Sequence, residues 1–366
     1  MSLRAEVIES PARLEELRDE WDLLSVAAAQ PFAAPGWLLP WWHGAAPAGA
    51  RLFSVAVFDE DRLVGLAPLF LDGETLFPLG TGATTRVEPL AERAREAEVA
   101  RLLAPALSKA GAALLRLRGI PEASPWPELV AEAWGAWLHE DERMPAPVVE
   151  LDGLTLDGWL ASKSSNFRNQ LRRYRRRLEE RGGRIELVQD PEALPAALDA
   201  FVRLHHARWE ARGGSGVLDT KVEAALRRSS EELPPDRLRV FVIAGEEGIV
   251  AANVLVAAGG EVSSWLNGHD DAWGDLNPQI QLGAAAIEHA LALGDRRLDL
   301  GAGTMQHKER LANGAETLRW VTIVPRGRGH VLTRARLLPG QARLSLSQRL
   351  SDEQKRRVKR ILGRGS

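Results

Sequence analysis

Between residues 261 and 310 the spacing of apolar residues changes from two, to about 3.6, and back to two. Alternation over 262–266 and again over 296–300 is typical of strands, and the middle segment has the period of a helix. Its apolar positions are Ile280, Ala284, Ile287 and Leu291. Asn277 is expected to cap this helix with its side chain, Pro278 to occupy the first position and Gly294 to end it. The pattern therefore predicts a strand–helix–strand crossover with parallel strands.

Ligands of such units sit beyond the carboxyl ends of the strands, where the helix N-terminus offers backbone N–H groups. The residues expected there are Asn277, Gln279, Gln281, Asp299, Gly301 and Gly303. They would suit an anionic group such as a pyrophosphate. The alternative is a purely structural unit with an ordinary helix start.

The remaining periodicity predicts the same order of elements twice: helix, hairpin, strand, crossover helix, strand. In the first half we expect helices over 10–28 and 32–42, a hairpin over 52–58 and 62–71, a strand over 74–79, a helix over 99–110, a strand over 112–118 and a helical stretch over 126–138. In the second half we expect a strand over 184–188, a helix over 191–212, a hairpin over 237–244 and 249–257, the crossover unit, and a closing strand over 318–324. The tryptophans of 37–42 are expected in the core.

This repetition predicts a mixed α/β (α+β) protein with two tandem domains, each a mostly antiparallel sheet with one parallel crossover pair and flanking helices. The predicted divisions are an N-terminal domain over 1–150, a basic connecting helix or pair of helices over 151–183, a C-terminal domain with the active site over 184–325, and a basic tail over 326–366. One helix is expected in the tail, over 351–362.

The net charge of the 366 residues is only -3, but the basic residues are concentrated in two segments of the chain. Residues 326–366 carry twelve Arg and Lys against two acids, and residues 163–184 carry nine against two. Arginine binds phosphate and carboxylate in bidentate fashion. Both segments therefore predict an anionic partner (tRNA, another anionic polymer or a membrane surface), with a solvated helix face as the alternative.

The residues that could carry chemistry are few. On the predicted helix 191–212, His205 shares a face with Leu198, Phe201 and Trp209, so it is either a buried core histidine or a general base. Asp299 is a second candidate base, and Lys308 could bind a phosphate or neutralise Asp299. The chain has no Cys, which excludes an acyl-cysteine intermediate, and its histidines lack metal-type spacing, so no metal is expected. No export signal or membrane span is indicated, so a cytoplasmic location is expected.

Several short segments together resemble the GNAT acyltransferases. They are similar in particular to the bacterial acetyltransferase-like family of cellulose and exopolysaccharide biosynthesis (CelD/BcsL type), which is related to the two-domain FemAB-type aminoacyl transferases. The matching segments are Pro31-Phe32…Trp37-Leu38…Trp41, the stretch 63–69, the arginine-rich Arg168…Arg172-Arg173…Leu178, His205…Arg208-Trp209, Asn277-Pro278 and Asp299…Gly301…Gly303…Lys308. Gln279 stands where the family usually has Gly, His307 stands where it often has an aromatic residue, and its phosphate loop is not cleanly present.

The resemblance implies an N-acyltransferase that uses acetyl-CoA or another acyl-CoA and a small-molecule or glycan amine or hydroxyl acceptor. It implies that His205, Asp299 and Lys308 are catalytic. Asn277, Gln279, Gln281, Gly301 and Gly303 would bind the cofactor. Trp209, Trp265, Arg172 and Arg173 would bind the substrate. Two alternatives remain open: an aminoacyl-tRNA donor, and an inactive GNAT-like module that binds an anionic partner.

Overall fold

The computed structural model describes residues 3–84, 86–210, 213–327, 330–335 and 337. Its strands are β1 (Leu3–Ile8), β2 (Arg51–Leu52), β3 (Ser54–Asp59), β4 (Arg62–Ala67), β5 (Leu69–Asp72), β6 (Thr75–Pro78), β7 (Leu90–Ala91), β8 (Leu114–Pro121), β9 (Trp137–Glu150), β10 (Arg184–Val188), β11 (Leu238–Gly245), β12 (Gly248–Ala258), β13 (Glu261–His269), β14 (Arg297–Asp299) and β15 (Gly314–Val324). Its helices are α1 (Pro11–Glu16), α2 (Arg18–Ala27), α3 (Pro35–Ala45), α4 (Glu96–Ser108), α5 (Trp126–Ala133), α6 (Leu156–Ser162), α7 (Ser165–Glu180), α8 (Leu194–Glu210), α9 (Thr220–Glu232), α10 (Pro278–Leu293) and α11 (Gln306–Leu311).

One long sheet runs through both halves of the chain, in the order β10-β11-β12-β13-β14-β9-β15-β8-β6-β5-β2, and a smaller sheet has the order β1-β3-β4-β7. Most neighbours are antiparallel. The parallel pairs are β6/β8, whose connection contains α4, and β13/β14, whose connection is α10. The predicted fold class, with one crossover pair in each half, is therefore confirmed.

The crossover helix α10 begins at Pro278 and ends before Gly294, as the sequence predicts, and Gly294 adopts the left-handed backbone (φ 74°) typical of a helix end. The start differs in one respect. Asn277 is itself left-handed (φ 48°), and its side chain makes no capping hydrogen bond. The predicted role of Asn277 as a side-chain cap is wrong, because this residue turns the chain instead.

Helices cover both faces of the long sheet. One face carries α3, α8 and α9, and the apolar cluster there joins Trp37 and Trp41 of the first half to Phe201 and Val254 of the second. The prediction that the tryptophans are core residues is thereby confirmed for these two. The other face carries α6, α7 and α10, packed through residues such as Trp159. The two halves therefore share a core.

Strand β15 lies between β9 and β8, and not in the sheet of the second half alone. It pairs with β9 along its whole length, from Gly314 opposite Val148 to Val324 opposite Trp137. The expectation that this strand closes the second half is corrected: the chain returns to complete the sheet of the first half. The limits 150 and 184 stay predictions, since strand pairing crosses between the halves.

Within the described residues, no helix combines the length and the apolar character needed to cross a membrane. The helix predicted over 351–362 lies outside the described residues.

Candidate active site

Strands β13 and β14 separate after a short contact. They pair in parallel only from Glu261 opposite Arg297 to Ser263 opposite Asp299, whereas β13 continues to His269. At the point of separation β13 also bulges, because Ser264 and Leu266 oppose consecutive residues of β12 and Trp265 is the extra residue. The result is a gap in the sheet, between the free part of β13 and the turn that follows β14.

The gap opens on both faces of the sheet. On the α8 face it widens into a cavity of about 410 Å³, called here the wide mouth. On the α10 face it forms a cavity of about 30 Å³, the narrow mouth. Both mouths are lined by Ser264, Asn267, Leu300, His307 and Lys308. A group placed among these residues can therefore be approached from either face.

A chain of polar side chains fills the narrow mouth. Gln279 donates through Nε2 to Nδ1 of His269 over 2.6 Å, and Nη1 of Arg208 lies at the same distance from that nitrogen. Burial lowers the pKa of His269, so the ring is neutral at pH 7 and its proton is assigned to Nε2 from these contacts. A volume of about 30 Å³ accommodates only one or two waters. A larger ligand could therefore enter the narrow mouth only if Gln279 turned aside.

The helix N-terminus is less open than the sequence suggests. The N–H groups of Ile280 and Gln281 both donate to the carbonyl of Asn277, over 3.0 and 3.2 Å. The Gln281 side chain is buried and donates to the carbonyl of Leu276 over 2.9 Å, so it does not reach the gap. Of the three predicted cofactor-binding residues on this segment, only Gln279 lines the gap.

Lys308 lies where the two mouths meet. Its Nζ donates to the carbonyls of Gly301 and Ala302, over 3.1 and 3.0 Å. Burial lowers the pKa of Lys308, and the charge of Asp299 opposes that shift. Gly301 is left-handed (φ 82°), and a Cβ there would lie 3.4 Å from Nζ. Because an ammonium has three donors, one N–H of Lys308 remains for a ligand in the gap. Gly303 instead donates its N–H to the carbonyl of Pro145 and does not line the gap.

Asp299 is turned away from the gap. Its side chain is about 3% exposed, one oxygen lies 2.8 Å from Nη1 of Arg86, and the other accepts the N–H of Gly301 over 2.8 Å. Asp299 lines neither mouth. This placement favours a role in holding the turn at Gly301, whose carbonyl accepts from Lys308, over the predicted role as a general base.

His205 lies in the wall of the wide mouth, buried as predicted. Its Nδ1–H donates to the carbonyl of Asn267 over 3.0 Å, which leaves Nε2 to accept the hydroxyl of Ser215 over 2.9 Å. Burial lowers the pKa of His205, so the ring is neutral at pH 7. The helix approaches β13 closely at this point, since a Cβ on Gly268 would lie 2.5 Å from the backbone nitrogen of His205.

His307 is a third neutral imidazole in the gap, after His269 and His205. Burial, assisted by the charges of Lys308 and Arg208, lowers its pKa to about 4. The sequence gives little reason to choose it, apart from its position next to Lys308.

Several aromatic rings line the wide mouth. Trp265 donates Nε1–H to the carbonyl of Ala83 over 2.6 Å and packs edge-on against Trp37, with ring centroids 5.1 Å apart. Trp209 and Trp320 also line it. The predicted substrate-binding tryptophans 209 and 265 are thus brought together, by parts of the chain far apart in sequence.

The other two predicted substrate-binding residues lie elsewhere. Arg172 and Arg173 are exposed on α7 and line neither mouth, and Arg172 donates to Oδ1 of Asn169 over 2.6 Å. The far end of α7 does contact the segment that precedes α10, where Arg181 donates to the carbonyl of Ala272 over 3.0 Å. Among the described residues, no group of acids and histidines could hold a metal ion.

Comparisons with known proteins concern the fold. Residues 165–309 match the family model described as "Acetyltransferase (GNAT) domain". The protein has a GNAT-like fold. Among curated protein sequences, none matches the chain.

Solved structures with a similar fold cover nearly the whole chain. The C-terminal domain (DUF2156) of a putative lysylphosphatidylglycerol synthetase from Agrobacterium fabrum has a TM-score of 0.58 and 16% identity, over 90% of this chain and 97% of that one. FemX has a TM-score of 0.62 and 12% identity, over 84% and 96%. L-PGS from Bacillus licheniformis has a TM-score of 0.55 and 16% identity, over 89% and 95%. At these identities the likeness concerns the fold alone.

Proposed function

We propose that this GNAT-like protein is an N-acyltransferase that moves an acyl group from acyl-CoA, entering at the narrow mouth, to an amine held in the wide mouth. The observation that carries this proposal is the gap itself. It passes through the sheet, and the same five residues line it from both faces. A donor carbonyl and an acceptor nitrogen could meet at Lys308 without either substrate passing the other.

In this proposal the positive charge of Lys308 acts on the carbonyl oxygen of the acyl group. The free N–H of Lys308 would stabilise the negative charge that develops on this oxygen as the amine attacks. A backbone N–H of β13 at the Trp265 bulge would share that task. A C–N bond forms, the C–S bond of the thioester breaks, and the thiolate leaves. Transfer is direct, because the chain has no Cys to carry the acyl group.

His205 would accept the proton of the attacking amine. Its Nδ1–H is fixed on the carbonyl of Asn267, so Nε2 is the basic nitrogen. Nε2 now accepts the hydroxyl of Ser215, which does not line the wide mouth, so this hydrogen bond would have to break before Nε2 takes the proton of the amine.

The donor fits the narrow mouth only with a change. Gln279 must leave His269, and the N–H groups of Ile280 and Gln281 are already bonded to Asn277. Arginines at the end of α7 contact the segment that precedes α10, because Arg177 forms an ion pair with Asp275 and Arg181 donates to the carbonyl of Ala272. They could meet the phosphates of the donor.

The wide mouth suits an acceptor with a ring or an apolar part. The rings of Trp209, Trp265 and Trp320, together with Arg118, would hold a glycan amine or another small acceptor. We therefore propose polysaccharide or cell-envelope biosynthesis as the setting, and the cytoplasm as the location.

A second candidate function is transfer of an aminoacyl group from tRNA. The tightness of the narrow mouth favours it, because tRNA would stay outside and insert only its aminoacyl end. The exposed arginines of α7, and the basic tail that lies largely outside the described residues, would contact its backbone. An inactive module that binds an anionic polymer would use the same surface.

Binding and turnover measured together separate these functions. Calorimetry with acetyl-CoA, a long-chain acyl-CoA, mixed aminoacyl-tRNA and polyphosphate, at 50 and 200 mM salt, should show saturable acyl-CoA binding with a weak salt dependence. Release of CoA thiol should then require an added amine. Transfer from aminoacyl-tRNA alone would favour the second candidate. Steeply salt-dependent binding of polyphosphate, with no turnover from any donor, would exclude both enzymes.

A further inference from the structure

The charged side chains that line the wide mouth are all basic. They are Arg118, Arg208 and Lys308, and no Asp or Glu is among the described residues that line this cavity. Its two histidines, His205 and His307, are neutral at pH 7 because burial lowers the pKa of each. The walls of the cavity therefore carry positive charge that no carboxylate in the cavity balances.

Asp299 does not supply the missing negative charge. Its charge acts on Lys308, but its side chain lies outside both mouths, with one oxygen 2.8 Å from Nη1 of Arg86. Lys308 itself donates to the backbone carbonyls of Gly301 and Ala302, over 3.1 and 3.0 Å. Its ammonium group is thus held in the cavity by neutral groups.

Arg118 places an unpaired guanidinium group at the other side of the cavity wall. Its side chain makes no hydrogen bond or ion pair with any described residue, and its Cζ lies 6.0 Å from the centroid of the Phe77 ring. Trp320 of β15 falls opposite residues 118 and 119, where the pairing of β15 with β8 changes register. A free guanidinium beside an aromatic ring can bind a carboxylate or a phosphate through two parallel hydrogen bonds.

His307 gives independent support for a positive field in the gap. Burial lowers the pKa of His307 to about 4, and the charges of Lys308 and Arg208 contribute to the shift. A field that opposes a proton on His307 also favours the neutral form of an acceptor amine. The same field attracts an anionic group.

We propose that the acceptor of the wide mouth is an amine that also carries an anionic group, a carboxylate or a phosphate, and that Arg118 binds this group. The inference rests on the proposed acyl transfer only in calling the ligand an acceptor. Its amine would face Lys308, and its ring or apolar part would lie against Trp209, Trp265 and Trp320. Arg118 would then determine which amines are accepted without contacting the reacting atoms.

The test uses two pairs of amines that differ in the anionic group. L-tryptophan and tryptamine differ by a carboxylate, and glucosamine 6-phosphate and glucosamine differ by a phosphate. Each probe is titrated by calorimetry into the full-length protein without an acyl donor, at 50 and 200 mM salt. In at least one pair we expect the anionic member to bind about three- to tenfold more tightly at 50 mM salt, and the pair that responds identifies the anion. The difference should shrink at 200 mM salt, because Arg118 is exposed.

Three arginine variants separate the role of Arg118 from a general effect of charge. Arg118→Gln should abolish the difference within the responding pair and leave the binding of tryptamine and glucosamine unchanged. Arg118→Lys should retain part of the difference, because the charge remains while the planar guanidinium is lost. Arg228→Gln, at an exposed arginine of α9 that lines neither mouth, should retain all of it.

Either of two results would overturn the proposal: anionic members that bind no more tightly than their partners in both pairs, or a difference that survives in Arg118→Gln. Release of CoA thiol with the same four amines is measured separately. Selective binding without turnover would contradict the acyl transfer and leave the anion-binding role of Arg118 in place. Turnover that is equally efficient with both members of each pair would support the acyl transfer and overturn the present inference.

Discussion

The two mouths of the gap are built in different ways. The narrow mouth is made largely by one continuous stretch, β13 through α11, and its polar side chains bond to one another. The wide mouth is assembled from α8, β13, the loop before residue 85, β8 and β15, and its rings leave about 410 Å³ open. The wide mouth is therefore already open, while access to the narrow mouth depends on one glutamine.

Lys308 belongs to both mouths, so its removal should affect the reaction and not the binding at one side. We expect Lys308→Met to lower kcat by about 10²–10³-fold, the usual cost of removing one donor from a developing oxyanion. Donor Kd and acceptor KM should change little. Lys221→Met, an exposed lysine on α9, is the matched control. A fall in kcat of less than threefold would remove Lys308 from the chemistry.

Arg86 supports the point where the mouths meet, through Asp299 and the Gly301 turn. We expect Arg86→Gln to reduce the free energy of unfolding by about 3–5 kcal/mol at pH 8, because it leaves buried carboxylates unpaired. The loss should be smaller at pH 5.5. The pKa of Glu261 is already raised in the folded state. A carboxyl group of this kind does not lower the free energy of unfolding while it is protonated, and it lowers that free energy increasingly as the pH rises and the group ionises.

Urea unfolding at the two pH values measures this difference. The exposed pairs of Arg143 with Glu122 and Glu140 provide a control, since Arg143→Gln should cost about 1 kcal/mol or less at either pH. Equal losses of unfolding free energy for Arg86→Gln at both pH values would contradict the role of Arg86 as the counterion of Asp299, Glu316 and Glu261.

Gln279→Gly should open the narrow mouth. Without the side chain that bonds His269, the entrance no longer needs to rearrange, and we expect acetyl-CoA to bind about tenfold more tightly, or about 1.4 kcal/mol. Gln279→Glu keeps the size of the side chain and adds a negative charge, so it should weaken binding. Calorimetry measures the Kd of acetyl-CoA for both variants. Tighter binding by Gln279→Glu than by Gln279→Gly would show that the size of the side chain does not limit the binding of acetyl-CoA.

Trp209→Ala should affect only the wide mouth. We expect the KM of the acceptor to rise by about two- to tenfold, the range that corresponds to an aromatic contact of about 0.5–1.5 kcal/mol, while the Kd of the donor stays the same. Steady-state kinetics with varied acceptor gives the first quantity and calorimetry the second. Trp134→Ala, whose ring bonds Ser108 far from the gap, controls for general loss of packing.

The sequence predicts the narrow mouth better than the wide one. The crossover unit is local, so periodicity alone gives β13, α10 and β14 with nearly correct limits. Its details depend on backbone conformation: Asn277 turns left-handed, and Gln281 turns inward to Leu276. Residue type alone fixes neither, although Asn adopts the left-handed region more readily than most residues.

The wide mouth depends on contacts that periodicity does not contain. The sequence does not predict strand β9, because its many charges and the prolines at 145 and 147 argue against a central strand. Strand β1 and helix α9 were also not predicted. Without β9 and β15, the proximity of Trp320 and Trp209 cannot be inferred. Arg86 was missed for the same reason, since its partners Asp299 and Glu316 lie more than 200 residues further along the chain.

The position of β15 has a consequence for synthesis of the chain. Until residues 314–324 leave the ribosome, β8 and β9 have no strand between them, so the first half cannot complete its sheet during translation. Pairings over such separations form slowly, and nascent polypeptides with open strand edges are bound by chaperones or aggregate. A protein released after residue 310 would therefore fail in both halves at once.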